Sequence, residues 1–267
     1  MFDIYIYPII LFAALAVISG VLLTVASKVF AVEVDERVDA VKEVLPQINC
    51  GACGYSGCED YANAIIDGEV TNLCKPGGDE TSRKISEIMG SGYLDVTEEV
   101  AFVHCNGNCK ATSDKFEFEG MPSCSAANRF YNGKGVCASA CLGYGDCVAV
   151  CAYDAICMVD GIAVIDPERC TACGLCVKQC PKLLITMKPE TNIVSVACSS
   201  KDSGKVTRQL CSNGCIACKI CERKCEYDAI HVIDNRAIID SDKCTNCGVC
   251  VQVCPVKCIH MRETVQA

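Results

Sequence analysis

The residues best suited to chemistry in this sequence are cysteines, and two short runs of them share one spacing. The first run is Cys170-Thr-Ala-Cys173-Gly-Leu-Cys176-Val-Lys-Gln-Cys180-Pro181, and the second is Cys244-Thr-Asn-Cys247-Gly-Val-Cys250-Val-Gln-Val-Cys254-Pro255. In the shared pattern C-x2-C-x2-C-x3-C-P, three thiolates surround one [4Fe–4S] cluster and the fourth binds a neighbouring cluster. Zinc sites instead use two C-x2-C pairs separated by a finger-length spacer. The spacing therefore predicts iron–sulfur clusters.

The composition agrees with metal binding in a reducing compartment. The 267 residues include 27 cysteines, a density that is usual for disulfide scaffolds in short secreted proteins. Here the cysteines are odd in number and stand in closely spaced runs, which favours metal over disulfides. The chain has no Trp and seven Phe, so we expect thin hydrophobic cores that the clusters help to stabilise. A net charge of −9 without a basic run makes nucleic acid an unsuitable partner.

A third group of cysteines lies nearer the N-terminus. It comprises Cys50-Gly-Ala-Cys53-Gly-Tyr-Ser-Gly-Cys58 and Cys74, which precedes Lys75-Pro76-Gly77-Gly78. The apolar residues between Cys58 and Cys74 recur on one helical face, and Gly68 ends that pattern. A helix beginning just after Cys58 would direct free backbone N–H groups at an anionic cluster. These four cysteines are predicted to hold one [4Fe–4S] cluster, with a zinc site as the alternative.

The C-terminal half of the chain repeats itself, with Cys170 recurring as Cys244. Cys141, Cys147 and Cys151 of the first repeat match Cys215, Cys221 and Cys225 of the second. Residues 156–165 and 230–239 alternate around Asp160-Gly161 and Asp234-Asn235, which predicts two β-hairpins. Each repeat is therefore predicted to be a two-cluster, ferredoxin-like α+β domain.

Crossed ligation assigns cysteines to clusters, because the last cysteine of each run binds the cluster of the other run. In the second repeat, the predicted sets are Cys215, Cys218, Cys221 and Cys254, and Cys244, Cys247, Cys250 and Cys225. In the first repeat, one predicted set is Cys170, Cys173, Cys176 and Cys151. Its partner lacks a ligand because Tyr144 stands at the position of Cys218. We expect Cys137 to replace it, which gives Cys137, Cys141, Cys147 and Cys180. A [3Fe–4S] cluster bound by three cysteines is the alternative.

Seven cysteines remain outside these five sets. They are Cys105, Cys109, Cys124, Cys157, Cys198, Cys211 and Cys258. The repeat pairs Cys124 with Cys198, and Cys137 with Cys211, just outside both ferredoxin-like domains. These positions suggest a sixth cluster held by Cys105, Cys124, Cys198 and Cys211, in which Cys109 could replace one ligand. The alternative is that all of them are buried or free thiols.

Two of the remaining thiols and the three histidines have simpler interpretations. Cys157 and Cys258 match His231 and Leu184 in the other repeat, so we expect both to be ordinary buried thiols. Of the histidines, only His104, next to Cys105, is a candidate for testing as a ligand.

The N-terminus carries a predicted membrane anchor. Residues 4–27 contain no charged side chain, and residues 8–27 alone supply the roughly twenty residues that a bilayer core requires. A cleaved signal peptide is the alternative, but Met1-Phe2-Asp3 lacks the positive charges of such signals. We therefore expect a single uncleaved span of the inner (cytoplasmic) membrane, with the thiolates on the cytoplasmic side. Apolar residues from Val34 to Leu45 then recur with a helical period, which predicts a short amphipathic connecting helix.

These features together resemble the B subunit of the Rnf complex, the ion-translocating ferredoxin:NAD oxidoreductase of bacterial membranes. The resemblance rests on the anchor, the cysteine pattern of residues 50–74 and the ferredoxin cysteines, and it covers essentially the whole chain. The doubled repeat is similar to the long form found in anaerobes such as clostridia and acetogens. We divide the chain into an anchor (1–30), a connecting helix (31–49), a 4Fe-4S module (50–90), a connecting segment (91–135), the first ferredoxin-like domain (136–187), a linker (188–210) and the second ferredoxin-like domain (211–267).

The resemblance implies an electron-transfer function. This subunit would take electrons from reduced ferredoxin and pass them to membrane partners that carry flavins and iron–sulfur clusters, while another subunit reduces NAD and Na⁺ or H⁺ is pumped. The sequence contains no dinucleotide, flavin or phosphate-loop motif, which suits that division. We expect electrons to enter at the ferredoxin repeats and to leave through the module of residues 50–74. Lys219, Arg223 and Lys224 could dock an acidic ferredoxin, or could form an ordinary solvated helix face. The alternatives are a subunit of another membrane oxidoreductase and a zinc-binding scaffold.

Overall fold

The computed structural model describes residues 3–30 and 35–262, beginning with one long apolar helix. This helix, α1 (Asp3–Val29), includes the segment Ile9–Val29, which has a mean hydropathy of 2.7 and is long enough to cross a bilayer. No part of that segment is buried inside the protein. A helix that is apolar on all sides without protein around it has the exterior expected of a membrane span. Within the described ranges, α1 is the one helix with these properties.

Three helices form a small module after the anchor. They are α2 (Glu36–Val44), α3 (Cys58–Ile66) and α4 (Gly78–Met89). Helix α2 packs against both α3 and α4, and Val41, Tyr61, Ile65 and Ile85 form a fully buried core between them. The amphipathic segment expected to connect membrane and soluble domain is thus part of the module, because its apolar face is covered by α3 and α4. Residues 31–34 of that expected segment lie outside the described residues.

The first ferredoxin-like domain consists of short strands and helices around the first repeat. Its elements are β1 (Glu99–Val103), α5 (Cys124–Asn128), α6 (Asp146–Ala149), β2 (Ile156–Val159), β3 (Ile162–Ile165), α7 (Leu175–Gln179) and β4 (Ile185–Pro189). Strands β1 and β4 pair antiparallel with Val103 opposite Ile185, and β2 pairs with β3 as a hairpin.

The second domain repeats this arrangement. Its elements are β5 (Val194–Val196), α8 (Gly204–Leu210), α9 (Ile220–Lys224), β6 (Ile230–Ile233), β7 (Arg236–Ile239), α10 (Val249–Val253) and β8 (Ile259–Met261). Strand β5 pairs antiparallel with β8, and β6 with β7. The predicted α+β class with two ferredoxin-like domains is confirmed.

The two predicted hairpins are confirmed by their turns. Asp160 and Gly161 have φ values of 48° and 84°, and Asp234 and Asn235 have values of 49° and 61°. Two successive residues with positive φ form the tight turn that matches the twist of a two-stranded hairpin. Strands β1 and β5 were not predicted, and they lie in residues 91–135 and 188–210, which the sequence placed outside the two domains. These strands contain no cysteine, so the cysteine pattern does not indicate them.

His104 joins the two domains through its imidazole ring. Its Nδ1 lies 2.7 Å from the carbonyl oxygen of Val196 on β5, and its Nε2 lies 2.8 Å from the hydroxyl oxygen of Thr186 on β4. Burial lowers the pKa of this imidazole, which keeps it neutral. A neutral ring donates from one nitrogen and accepts at the other, so both of its nitrogens have protein partners. His104 is therefore a structural link between the domains.

Candidate iron–sulfur centres

Five cavities, four within the two ferredoxin-like domains and one between them, are each lined by at least four cysteines. Together with the solvent-filled space at their openings, they have volumes of about 400, 320, 360, 340 and 310 Å³. Similar volumes and identical donor atoms indicate occupants of one kind. A sixth group of four cysteines lies in the N-terminal module.

The second domain groups its cysteines as predicted. One cavity is lined by Cys225, Cys244, Cys247 and Cys250, and the other by Cys215, Cys218, Cys221 and Cys254. Helix α9 carries Cys221 and is followed directly by Cys225, while α10 carries Cys250 and is followed directly by Cys254. The two helices pack together, so each sends one cysteine to each cavity. This is the crossed arrangement that the sequence predicts.

The first domain has one cavity as predicted and one that differs. Cys151, Cys170, Cys173 and Cys176 line the first. The second is lined by Cys124, Cys141, Cys147 and Cys180. Cys124 therefore stands where the sequence predicts Cys137.

Asp146 explains the position of Cys124. Its carboxylate accepts hydrogen bonds from the backbone N–H groups of Cys124, at 2.9 Å, and Ser125, at 3.1 Å. Asp146 begins α6, directly before Cys147. The start of α5 is thereby fixed beside α6, and the thiol of Cys124 faces the cavity in place of the ligand missing at Tyr144.

The fifth cavity lies between the domains and is lined by Cys137, the cysteine that the sequence placed in the first domain. Cys105, Cys137, Cys198 and Cys211 line it. The set expected for a sixth cluster thus keeps Cys105, Cys198 and Cys211, but Cys137 stands in the place of Cys124. Cys109, the expected substitute, is exposed and does not line this cavity.

This interdomain group has an approximate twofold symmetry. Cys105 follows β1 as Cys198 follows β5, and the repeat already pairs Cys137 with Cys211. The Sγ of Cys105 accepts a hydrogen bond from the N–H of Cys141 at 3.3 Å, and the Sγ of Cys198 accepts one from Cys215 at 3.2 Å. Cys141 and Cys215 are themselves equivalent in the repeat.

An insertion in the first repeat hides the equivalence of Cys105 and Cys198 when the two repeats are aligned by sequence. Cys105 precedes Cys137 by 32 residues, whereas Cys198 precedes Cys211 by 13. A constant offset therefore aligns Cys198 with Cys124, inside the insertion, instead of with Cys105. The position of Cys105 two residues beyond a short apolar strand was the available signal.

The N-terminal module brings its four predicted cysteines together. Burial raises the pKa of the Cys74 thiol to about 11, with a further contribution from nearby Cys58, Cys50 and Cys53. The Oδ1 of Asn49 accepts a hydrogen bond from the N–H of Cys58 at 2.9 Å and so fixes the start of α3. That helix begins at Cys58, close to the start that the sequence predicts.

The donor atoms in these groups suit iron–sulfur clusters. Backbone N–H groups donate to the sulfurs of Cys151, Cys170, Cys180 and Cys225 at 3.4–3.5 Å, in addition to the two bonds in the interdomain group. Such N–H···S bonds stabilise the negative charge of a cluster and tune its potential. Among residues 3–30 and 35–262, no three His, Cys, Asp or Glu side chains converge closely enough for a single metal ion. Four cysteine sulfurs around one cavity match the Cys₄ ligation of a [4Fe–4S] cluster.

Burial favours the protonated form of several of these thiols. Burial raises the pKa of Cys105 and of Cys176 to about 12, and that of Cys147 to about 11. Cluster binding must therefore displace thiol protons.

The six groups form a continuous series. In each ferredoxin-like domain the two cavities share crossed helices, α9 with α10 and α6 with α7. The interdomain group contacts one cavity of each domain through the N–H···S bonds described above. From α7, the Nζ of Lys178 donates a hydrogen bond to the carbonyl oxygen of Cys50 at 2.8 Å, which joins the first domain to the module.

The thiols outside the six groups differ in exposure. Cys157, expected to be buried, is exposed, because on β2 its side chain points away from the face that carries buried Ile156. Cys258 is buried, as expected, and its Sγ lies 3.6 Å from that of Cys254.

Family models match the N-terminal module and one part of each ferredoxin-like domain. A model of an Fe-S cluster family matches residues 45–76, which include Cys50 to Cys74. A 4Fe-4S binding domain model matches residues 163–186 and 237–260, one in each ferredoxin-like domain.

Similar proteins cover nearly the whole chain. The B subunit of the Na(+)-translocating ferredoxin:NAD(+) oxidoreductase complex of Acetobacterium woodii is 41% identical over 97% of this chain and 78% of its own length. The B subunit of the ion-translocating oxidoreductase complex of Methanosarcina acetivorans is 37% identical over 98% of this chain and its full length. The B subunit of the proton-translocating ferredoxin:NAD(+) oxidoreductase complex of Clostridium ljungdahlii is 37% identical over 89% of this chain and 85% of its own length. The chain therefore belongs to the family of B subunits of ion-translocating (Rnf) oxidoreductase complexes, as an iron–sulfur electron-transfer subunit.

Proposed function

We propose that this subunit accepts electrons from reduced ferredoxin and relays them through six [4Fe–4S] clusters to the other subunits of the complex. The unbroken series of six cysteine groups carries the proposal. Such clusters accept and release single electrons at low potential. The contribution of the chain is to hold them in sequence and to provide the N–H donors that tune them.

The proposed ligand sets follow the cavities. They are Cys225, Cys244, Cys247 and Cys250; Cys215, Cys218, Cys221 and Cys254; Cys105, Cys137, Cys198 and Cys211; Cys124, Cys141, Cys147 and Cys180; Cys151, Cys170, Cys173 and Cys176; and Cys50, Cys53, Cys58 and Cys74. In this order the electrons would pass from the second domain through the first domain to the module. The module would be the exit, since it follows the anchor α1 in the chain.

The remaining chemistry would belong to partner subunits. We assign NAD reduction and ion transport to subunits that carry flavins and further iron–sulfur clusters, in keeping with the names of the relatives. The cluster domains would lie on the cytoplasmic side of the membrane, where thiolates remain reduced.

The ferredoxin would dock at the second domain, beside α9. Lys219, Arg223 and Lys224 are exposed on and next to this helix, which also carries Cys221. The side chain of Lys219 lies 3.6 Å from Glu222, and neither of the other two cations has a carboxylate within ion-pair distance in the described residues. On a chain with a net charge of −9, a local basic patch would attract an acidic carrier to one place.

Charge reversal tests this docking surface. In the variant Lys219→Glu, Arg223→Glu, Lys224→Glu, the apparent KM for reduced ferredoxin should rise at low salt, and the difference should shrink as salt screens the charges. The matched control reverses three other exposed cations of the same domain, Lys201, Lys205 and Arg208. An unchanged KM in the first variant, or an equal rise in the control, would rule out docking at this patch.

Metal analysis tests the relay as a whole. Anaerobically purified full-length protein should contain about 24 iron atoms and as much acid-labile sulfide, at four of each per cluster. EPR signals of reduced clusters should appear on titration with reduced ferredoxin. About 20 iron atoms would remove the interdomain cluster from the proposal, and stoichiometric zinc would overturn the proposal entirely.

A further inference from the structure

One cavity of the second domain contains a fifth cysteine. Cys258 lines the cavity of Cys215, Cys218, Cys221 and Cys254, and its side chain is 1% exposed. Its Sγ lies 3.6 Å from the Sγ of Cys254, and Cys215 lines the same cavity. Each of the other four cavities described above has four cysteines.

Cys258 is placed to act as a hydrogen-bond donor. The four other cysteines come from the two cysteine runs and complete a ligand set, so Cys258 is not needed as a ligand. A buried thiol beside metal-bound thiolates keeps its proton, because a further negative charge there would be repelled and poorly solvated. A metal-bound thiolate can only accept, so the S–H of Cys258 is the donor to Cys254.

The first domain provides an internal comparison. Its residue equivalent to Cys258 is Leu184, which is also 1% exposed and also stands directly before a strand. The N–H of Leu184 donates to the Sγ of Cys180 at 3.5 Å. The side chain of Leu184 has no polar atom, so the side-chain donor is present in the second domain and not at the equivalent position of the first.

We propose that the thiol of Cys258 donates a hydrogen bond to the cluster ligand Cys254 and raises the reduction potential of that centre above that of its counterpart in the first domain. The inference depends on the ligand set given under the proposed function. A donor to a ligand sulfur stabilises the added negative charge of the reduced cluster, so reduction becomes more favourable. Because Leu184 offers no such donor, the two equivalent centres differ in potential, although their ligands are the same.

Redox titration of two variants tests this role. The full-length protein, its Cys258→Leu form, which copies the first domain, and its Cys258→Ser form, which keeps a donor, are titrated anaerobically and followed by EPR. In Cys258→Leu, the reduction equilibrium constant of one cluster should fall about tenfold, a shift of about 59 mV for one electron. Cys258→Ser should titrate like the unchanged protein, and all three should contain equal iron.

The reverse substitution and a spectroscopic readout complete the test. Leu184→Cys should raise the potential of the equivalent first-domain centre, and Cys258→Leu should lose the exchangeable-proton coupling of its cluster in pulsed EPR. Identical titration curves for Cys258→Leu and the unchanged protein, or iron loss in Cys258→Leu, would overturn the inference. Cys254→Ala tests the ligand set separately: if that variant kept all its iron, the proposed ligation would fail whatever the potentials show.

Discussion

At the scale of single residues, a cysteine joins a ligand set when its thiol faces the same cavity as three other thiols. The contacts of the neighbouring backbone determine which cavity that is. Cys124 and Cys137 show this most clearly. Asp146 holds the start of α5 beside α6, which directs Cys124 into the first domain. Cys137 lies close to Cys198 and Cys211 of the second domain instead.

Double substitutions should reveal this grouping through their non-additivity. Cys105→Ala and Cys137→Ala should each remove up to about four iron atoms, and the double variant should lose no more than one cluster. By contrast, Cys124→Ala combined with Cys137→Ala should cost two clusters. Iron and sulfide analysis with EPR provides the measurement, and the reversed pattern would restore Cys137 to the first-domain set.

At the scale of secondary-structure elements, the contact between α7 and the module brings two cysteine groups next to each other. Lys178→Ala removes the hydrogen bond to the carbonyl of Cys50, which contributes about 1 kcal/mol. Hydrogen exchange of the amides around Cys50 should then accelerate about fivefold. Lys178→Arg keeps a donor and serves as the control. Equal acceleration in both variants would show that this hydrogen bond does not hold the module.

The strands β4 and β5 are joined by His104, which gives the domain interface a pH dependence. Burial lowers the pKa of the folded imidazole, while the unfolded value is about 6.5. Its contribution to stability is therefore present above about pH 6.5 and is lost as the pH falls through the folded pKa.

The His104→Gln variant should be less sensitive to acid than the unchanged protein. Both are unfolded in urea under anaerobic conditions at about pH 7.5 and about pH 5.5, on either side of the unfolded pKa. We expect the unchanged protein to lose more unfolding free energy between these pH values, because Gln does not titrate. Parallel losses in the two proteins would place the acid sensitivity elsewhere.

At the scale of the whole molecule, the anchor and the cluster-bearing part are structurally separate. The Ile9–Val29 segment is not buried by the rest of the protein, so removing residues 1–30 should leave the cysteine groups intact. The shortened protein should be found in the soluble fraction with the same iron content per chain. Loss of iron, or persistence in the membrane fraction, would contradict this prediction.

The sequence by itself determined the chemistry and most of its grouping. The spacing within a run places its sulfurs around one centre regardless of distant contacts, so four of the six groups follow from short patterns and the crossed-ligation rule. The hairpins followed for the same reason, because Asp160-Gly161 and Asp234-Asn235 fix their turns locally.

Only the tertiary structure decided the grouping of cysteines that stand alone in the chain. Cys105, Cys124 and Cys137 have no local partners, and the insertion between Cys105 and Cys137 displaces them from the regular repeat. Their positions depend on the pairing of β1 with β4 and on the contacts of Asp146, which join residues far apart in the chain. The exposure of Cys157 and the contact of Cys258 with Cys254 likewise depend on which face of a strand or cavity each side chain meets.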